Sequence, residues 1–124
     1  MAIPAFRIST RFHPIRLTAF MRNNVELSIE VENVSKEALW TECDVTIPEA
    51  ISLAPDRALH RGRLRIGIVN PGEILTGKCK VYANASSYPD NYTLKLTAFG
   101  FGRDGAISSR EDKNIDLRCE QLGR

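Results

Sequence analysis

The sequence predicts an all-β chain, a seven-stranded antiparallel sandwich, and three observations predict it. Val25-Glu-Leu-Ser-Ile-Glu-Val-Glu-Asn33 alternates apolar and polar side chains without a slip. Further short apolar runs are separated by turn signals such as Asn70-Pro-Gly72 and Asp104-Gly105. No stretch carries the 3.6-residue apolar stripe of an amphipathic helix. Short strands with turns between them favour a sandwich or barrel over alternating strands and helices.

The elements follow in order. Residues 1–13 read as an extended N-terminal segment, and Ile15–Phe20 as an opening strand after Pro14. Val25–Asn33 sets Val25, Leu27, Ile29 and Val31 on one face and Glu26, Ser28, Glu30 and Glu32 on the other, because side chains alternate along a strand. Leu39–Ile47 groups Cys43, Val45 and Ile47, and Pro48 ends it by removing a ladder donor. Residues 49–62 are the least regular and leave room for a short helical turn. Arg63–Val69 stops at Asn70-Pro-Gly72, where proline presets φ and glycine tolerates positive φ. Glu73–Ala83 is closed by Ser86-Ser-Tyr-Pro-Asp-Asn91. Tyr92–Phe99 places Tyr92, Leu94, Leu96 and Ala98 on one face. Gly100, Gly102 and Asp104-Gly105 mark a hairpin before a last strand, Ile107–Leu117. A chain of 124 residues forms one domain over 1–124, large enough to hide roughly two-thirds of its unfolded surface.

Composition narrows the function classes. Hydrophobic residues at 43% and charged residues at 26% match a globular chain, not a disordered one. No apolar run approaches the roughly 20 residues of a spanning helix, so no membrane span is expected. The N-terminus lacks the apolar region of a secretory signal, which makes the expected compartment cytoplasmic, or extracellular if a signal was removed. Cys43, Cys79 and Cys119 form no Cys-x-x-Cys pair and have no histidine at ligand spacing, so no metal site is expected. Their odd number fits free thiols, and a Cys43–Cys79 bridge with Cys119 left over stays open. His13 and His60 have no nucleophile motif nearby. Gly100-Phe-Gly102 precedes a strand, where a phosphate-cradling loop must open a helix. The expectation is therefore no enzyme, no catalytic residues and no cofactor. Asn33-Val-Ser35, Asn84-Ala-Ser86 and Asn91-Tyr-Thr93 match the glycosylation pattern, which matters only for an exported chain.

Val31-Glu-Asn33, the strand ending near Pro48, Asn70-Pro-Gly-Glu73, and Tyr88-Pro-Asp-Asn-Tyr92 leading into Leu94-Lys-Leu96 together resemble CARDB and related NEW3-type immunoglobulin-like domains, over roughly residues 14–118. The resemblance implies an immunoglobulin-like sandwich and a surface-adhesion role. It also implies that Tyr92 is a corner tyrosine whose hydroxyl ties down a loop. With strands lettered A to G, such a sandwich sets A, B, E and D in one sheet and C, F and G in the other.

That arrangement gives the charges positions. Glu26, Glu30 and Glu32 face out beside Lys78 and Lys80, and opposite charges on neighbouring strands attract. Arg61, Arg63 and Arg65 alternate with Gly62, Leu64 and Ile66, which lines the arginines on one face about 7 Å apart. With Arg57 and His60 they form a basic strip at the edge strand D, with no obvious local acid. Such a strip either protects an edge from aggregation or contacts an acidic protein or nucleic acid. Phe99 has outward parity, Phe101 lies in the following turn, and Trp40 has the parity opposite to Cys43. The immunoglobulin precedent favours a bulge that turns Trp40 into the core. Otherwise Trp40, Phe99 and Phe101 form an aromatic patch for a dimer or another partner. The expected function is a binding module presenting a sheet edge or face to a protein partner. Nucleic-acid or polyanion binding through Arg57 to Arg65, and surface adhesion or carbohydrate contact, are the alternatives.

Overall fold

The structure, a computed structural model, describes residues 5–122. It holds eight strands: β1 (Phe6–His13), β2 (Arg16–Thr18), β3 (Asn23–Asn33), β4 (Leu39–Thr46), β5 (Arg61–Val69), β6 (Ile74–Ala83), β7 (Asp90–Phe101) and β8 (Ile107–Glu120). They form a three-stranded sheet, β1-β3-β6, and a five-stranded sheet, β2-β8-β7-β4-β5.

The all-β reading holds, and the seven-stranded immunoglobulin-like layout is corrected. Part of the N-terminal segment is a strand, because Phe6, Ile8 and Phe12 alternate with Arg7, Ser9, Arg11 and His13 and pair with β3 from Phe6↔Asn33 to His13↔Glu26. Residues 1–4 of that segment lie outside the described residues. The strand expected over Ile15–Phe20 shrinks to β2, which pairs in parallel with β8. The strand lettered D, β5, lies beside β4 in the five-stranded sheet, not beside β6. Residues 49–60 form turns, bends and one bridge, Ser52↔Tyr82, where a helical turn had room, and Arg61 and Gly62 open β5.

Burial follows the alternation. Val25, Leu27, Ile29 and Val31 face Leu94, Leu96, Val45 and Leu117 in one core, all with at most 1% exposure. On the outer side of β3, Glu26 stands opposite Lys80 and Ser28 opposite Lys78, with Lys78 Nζ 3.8 Å from Glu26. At the seam between the sheets, Ile66 of β5 lies over Gly77 of β6, so two edges lean together through side chains. The hydroxyl of Tyr92 donates to the carbonyl of Tyr88, and the two rings meet edge to face at 5.7 Å, which ties the 84–89 loop to β7.

Cys43, Cys79 and Cys119 are free thiols. Burial, with Asp44 and Cys79 adding to it, pushes the Cys43 thiol up to about 12. Burial likewise pushes Tyr92 up to about 12, with Cys119, Tyr88 and Asp90 as lesser causes. In the unfolded chain these groups titrate near 9.0 and 10.0, so the unfolded state loses its protons first as pH rises. Their stabilising contribution is present below about pH 9 and is lost progressively as pH rises towards 12. A melting temperature followed from neutral to alkaline pH should hold level and then drop, and Tyr92→Phe should remove part of the drop between 10 and 12. A flat profile to 12 would show that burial does not hold these protons.

Candidate functional site

The outer face of the five-stranded sheet carries a row of apolar side chains. Trp40 of β4 stands opposite Ile68 of β5 on one side and Phe101 of β7 on the other, and Phe101 stands opposite Ile107 of β8. Four neighbouring strands thus each contribute one apolar side chain to a row that spans about 15 Å at the usual strand spacing. Ile68 is 59% exposed, Ile107 58% and Trp40 40%. A shallow depression of about 260 Å³ beside the row is lined by Trp40, Glu42, Phe101 and the hairpin residues Gly102, Arg103 and Gly105.

The expectation of a buried Trp40 is corrected. Its strand pairs with β7 in unbroken register from Trp40↔Phe101 to Thr46↔Lys95, so nothing flips its parity, and the indole faces out. Its Nε1 donates to Glu42 at 2.7 Å, which fixes the ring on the face. Phe101 is the last residue of β7 and not part of the turn.

Bulges place the two isoleucines. Ile68 has the same parity as the inward Leu64 and Ile66, but the β4–β5 register shifts at Thr41/Glu42, opposite Gly67 with φ 115°. Past that bulge Val69 turns inward and Ile68 outward. Ile107 has the parity of the buried Ile115 and Leu117, and the β7–β8 register shifts between Gly100 and Phe101. An extra residue reverses every side chain beyond it.

Below the row the face is charged and interlocked. Arg63 Nη1 donates to Glu42 at 3.2 Å and Nη2 to Asp44 at 3.1 Å. Its guanidinium lies 5.3 Å from the Phe99 ring centroid, and Arg110 approaches the same ring at 5.7 Å. Hydrogen bonding from Arg63, with the charges of Arg63 and Arg61, holds the Asp44 carboxyl below its usual range. Thr97 donates to Asp112 at 2.7 Å and, with Arg110 and Lys95, lowers that carboxyl too.

The basic strip therefore divides. Arg61, Arg63 and Arg65 line the outer face of β5, as alternation predicts. The expected lack of a local acid is corrected, since Glu42 and Asp44 of β4 neutralise Arg63. Arg61 and Arg65 have no acidic partner within ion-pair distance among the described residues. Arg57 and His60 lie just before the strip, where the Ile47 amide donates to the His60 carbonyl at 2.9 Å, and both also line a pocket of about 400 Å³ at the end of the sheets away from the apolar row, with Arg22, Asn24, Tyr82 and Asn84. Phe99 and Phe101 share the face with Trp40, and Ile68 and Ile107 join it although strand parity predicts them inward. Gly67 and Gly100 were the only signals, because glycine inside a strand marks a bulge or a close approach.

No family model and no curated protein matches the chain. Among solved structures, AvmM, which catalyses macrocyclization in alchivemycin A biosynthesis, is similar with a TM-score of 0.64 at 11% identity, covering 98% of this chain and 92% of AvmM. Spo0M, the sporulation control protein of Bacillus subtilis, gives a TM-score of 0.48 at 14% identity over 97% of this chain, which spans about half the length of Spo0M, 51%. The chain shares its fold with AvmM. That likeness corrects the expectation that the chain is no enzyme: an enzyme is built on this fold, so the lack of a triad, metal motif or glycine-rich loop does not exclude chemistry. No helix of the structure is long and apolar enough to cross a membrane.

Proposed function

We propose that the outer face of the five-stranded sheet docks a protein partner, with Ile68, Trp40, Phe101 and Ile107 as the apolar anchor and the β5 arginines orienting acidic side chains of the partner. The single observation that carries this reading is the pair of bulges. Each re-aims an isoleucine that strand parity would bury, and both deliver it to the same row beside Trp40 and Phe101. Contiguous exposed apolar surface rimmed by charge is the ordinary mark of an interaction site. Tryptophan and arginine are the residues that most often dominate such interfaces. Glu42 already holds Trp40, so little side-chain freedom is left to lose on binding.

Charge sets the kind of partner. Arg61 and Arg65, with no acidic partner within ion-pair distance among the described residues, present cations at the β5 edge, which suits carboxylates. Glu42 and Asp44, within 3.2 Å of Arg63, repel a polyanion there and make nucleic acid the poorer fit. Three unbridged thiols suit a reducing compartment, which is where this reading puts the protein.

A photo-cross-linking side chain at Thr46, on the same face, should capture one defined protein, while the same group at Glu30, on the outer side of the other sheet, should not. Equal capture from both positions would remove the face from consideration. A product of two copies of this chain would identify the occupant as a second copy.

A further inference from the structure

The pocket at the opposite end of the sandwich from the apolar row is built from the segment between β4 and β5 together with the starts of β3 and the end of β6. An irregular connection of this length inside a small domain is usually functional. This one is also held in shape. The buried Ser52 hydroxyl donates to the carbonyl of Arg57 at 2.7 Å and accepts from the amides of Leu59 at 3.0 Å and Ala54 at 3.1 Å, so one side chain closes the loop on itself. Ser52 and Tyr82 exchange backbone hydrogen bonds at 2.9 and 2.7 Å, which fastens the loop to β6. The buried Ser87 hydroxyl donates to Ala50 at 2.6 Å from the other side. The His60 ring contacts the Glu49 carbonyl through Nε2 at 3.3 Å, which fixes its plane.

The lining of this pre-shaped pocket is cationic and rich in amides. Arg22, Arg57 and His60 face one acidic side chain, Glu49, and the only ion pair at either arginine among the described residues is Arg57 with its neighbour Asp56 at 3.9 Å. Asn24 and Asn84 add amide groups that donate and accept. Apolar walls come from Ile51, Ala54, Pro55 and Tyr82. A volume of about 400 Å³ suits a small molecule and is too small for a polymer segment of any length. Guanidinium groups match phosphate oxygens in a two-pronged geometry, and two of them balance a doubly charged group.

We propose that this pocket binds a small phosphate monoester, with Arg22 and Arg57 on the phosphate and the two asparagines on hydroxyls of the attached frame. The proposal is independent of the docking face. It assigns Arg57 and His60 to a small-molecule site in place of the basic strip.

The test titrates inorganic phosphate and glycerol phosphate into the full chain and follows backbone amide shifts of Ser52, Leu59, Tyr82 and Asn84. Acetate at the same ionic strength is the control. Saturable shifts confined to these residues are expected, with glycerol phosphate the tighter ligand and a Kd on the order of 1 mM or below. Arg22→Gln with Arg57→Gln should weaken binding by about tenfold or more, because each removes a charge-assisted hydrogen bond. Both arginines are exposed, so the variant should melt as the parent does. Arg7→Gln, on β1 outside the pocket, should leave the titration unchanged. Linear, unsaturated shifts, an equal response to acetate, or full binding by the double variant would each overturn the assignment.

Discussion

Gly100→Val should destabilise the fold by about 3 kcal/mol, the upper part of the range for overpacking a filled core. Gly100 sits near the end of β7 with its inward side against Phe6 and Leu39. A Cβ there would lie 2.8 Å from the Phe6 ring tip and 3.0 Å from Leu39 Cδ1. Phe6 is 3% exposed and opens β1, so the ring that closes this end of the core occupies the space a side chain needs. The urea midpoint should fall with the slope unchanged, and Phe6→Leu should recover part of the loss by making room. If Gly100→Val unfolds at the parental midpoint, Phe6 does not seal the core against β7.

Asn33→Leu should cost about 2 to 3 kcal/mol, because it leaves the buried Val69 carbonyl without a partner, at about 1 to 3 kcal/mol for such a group, and also removes the bonds that hold the 35–37 turn. Asn33 is fully buried at the end of β3. Its Nδ2 donates to the carbonyls of Val69 and Glu37, each at 2.7 Å, and its Oδ1 accepts from the amide and hydroxyl of Ser35 at 2.9 and 2.6 Å. Its own backbone binds the 70–73 turn, with Gly72 donating to its carbonyl at 2.8 Å and its amide donating to Glu73 at 3.0 Å. Asn33 is thus the corner where β5 leaves one sheet and β6 enters the other. Asn33→Asp, which sets a buried carboxylate oxygen against the carbonyls of Val69 and Glu37 in place of the amide donor, should lower the midpoint at neutral pH at least as far as Asn33→Leu. Burial also means that a glycan could not reach this asparagine in the folded chain, although Asn33-Val-Ser35 matches the acceptor pattern.

The strands most visible in the sequence are those with one wet and one dry face. Val25–Val31 could be read residue by residue, because each outward position carries a charge or hydroxyl. β1 was legible in principle, with Phe6, Ile8 and Phe12 in phase, but Thr10 at an inward position blurs the alternation. The partner of β5 was not legible. Its arginines face out in either sheet, and only the cross-strand acids Asp44 and Glu42 distinguish β4 from β6 as the neighbour.

The candidate face was half legible for a related reason. Trp40, Phe99 and Phe101 follow from parity alone. Ile68 and Ile107 require bulges, and a bulge moves a side chain across the sheet without changing the composition of the strand. Gly67 and Gly100 mark the places, yet glycine in a strand also signals close packing, which is what Gly100 does against Phe6. Sequence proximity to Arg61 groups Arg57 and His60 with the strip. The bonds of Ser52 fold that segment back toward β6, so that Arg57 and His60 line the pocket at that end of the sheets.

The most direct test of the docking face is the affinity of the captured protein for the parent chain and for the Trp40→Ser, Ile68→Ser variant. Trp40 is the only tryptophan, so its emission reports occupancy in the parent, and calorimetry serves both. The account predicts a blue shift on binding and a loss of affinity of about 100-fold in the variant, two anchor side chains at about 1.4 kcal/mol or more each. Unshifted Trp40 emission with full affinity in the variant would contradict it.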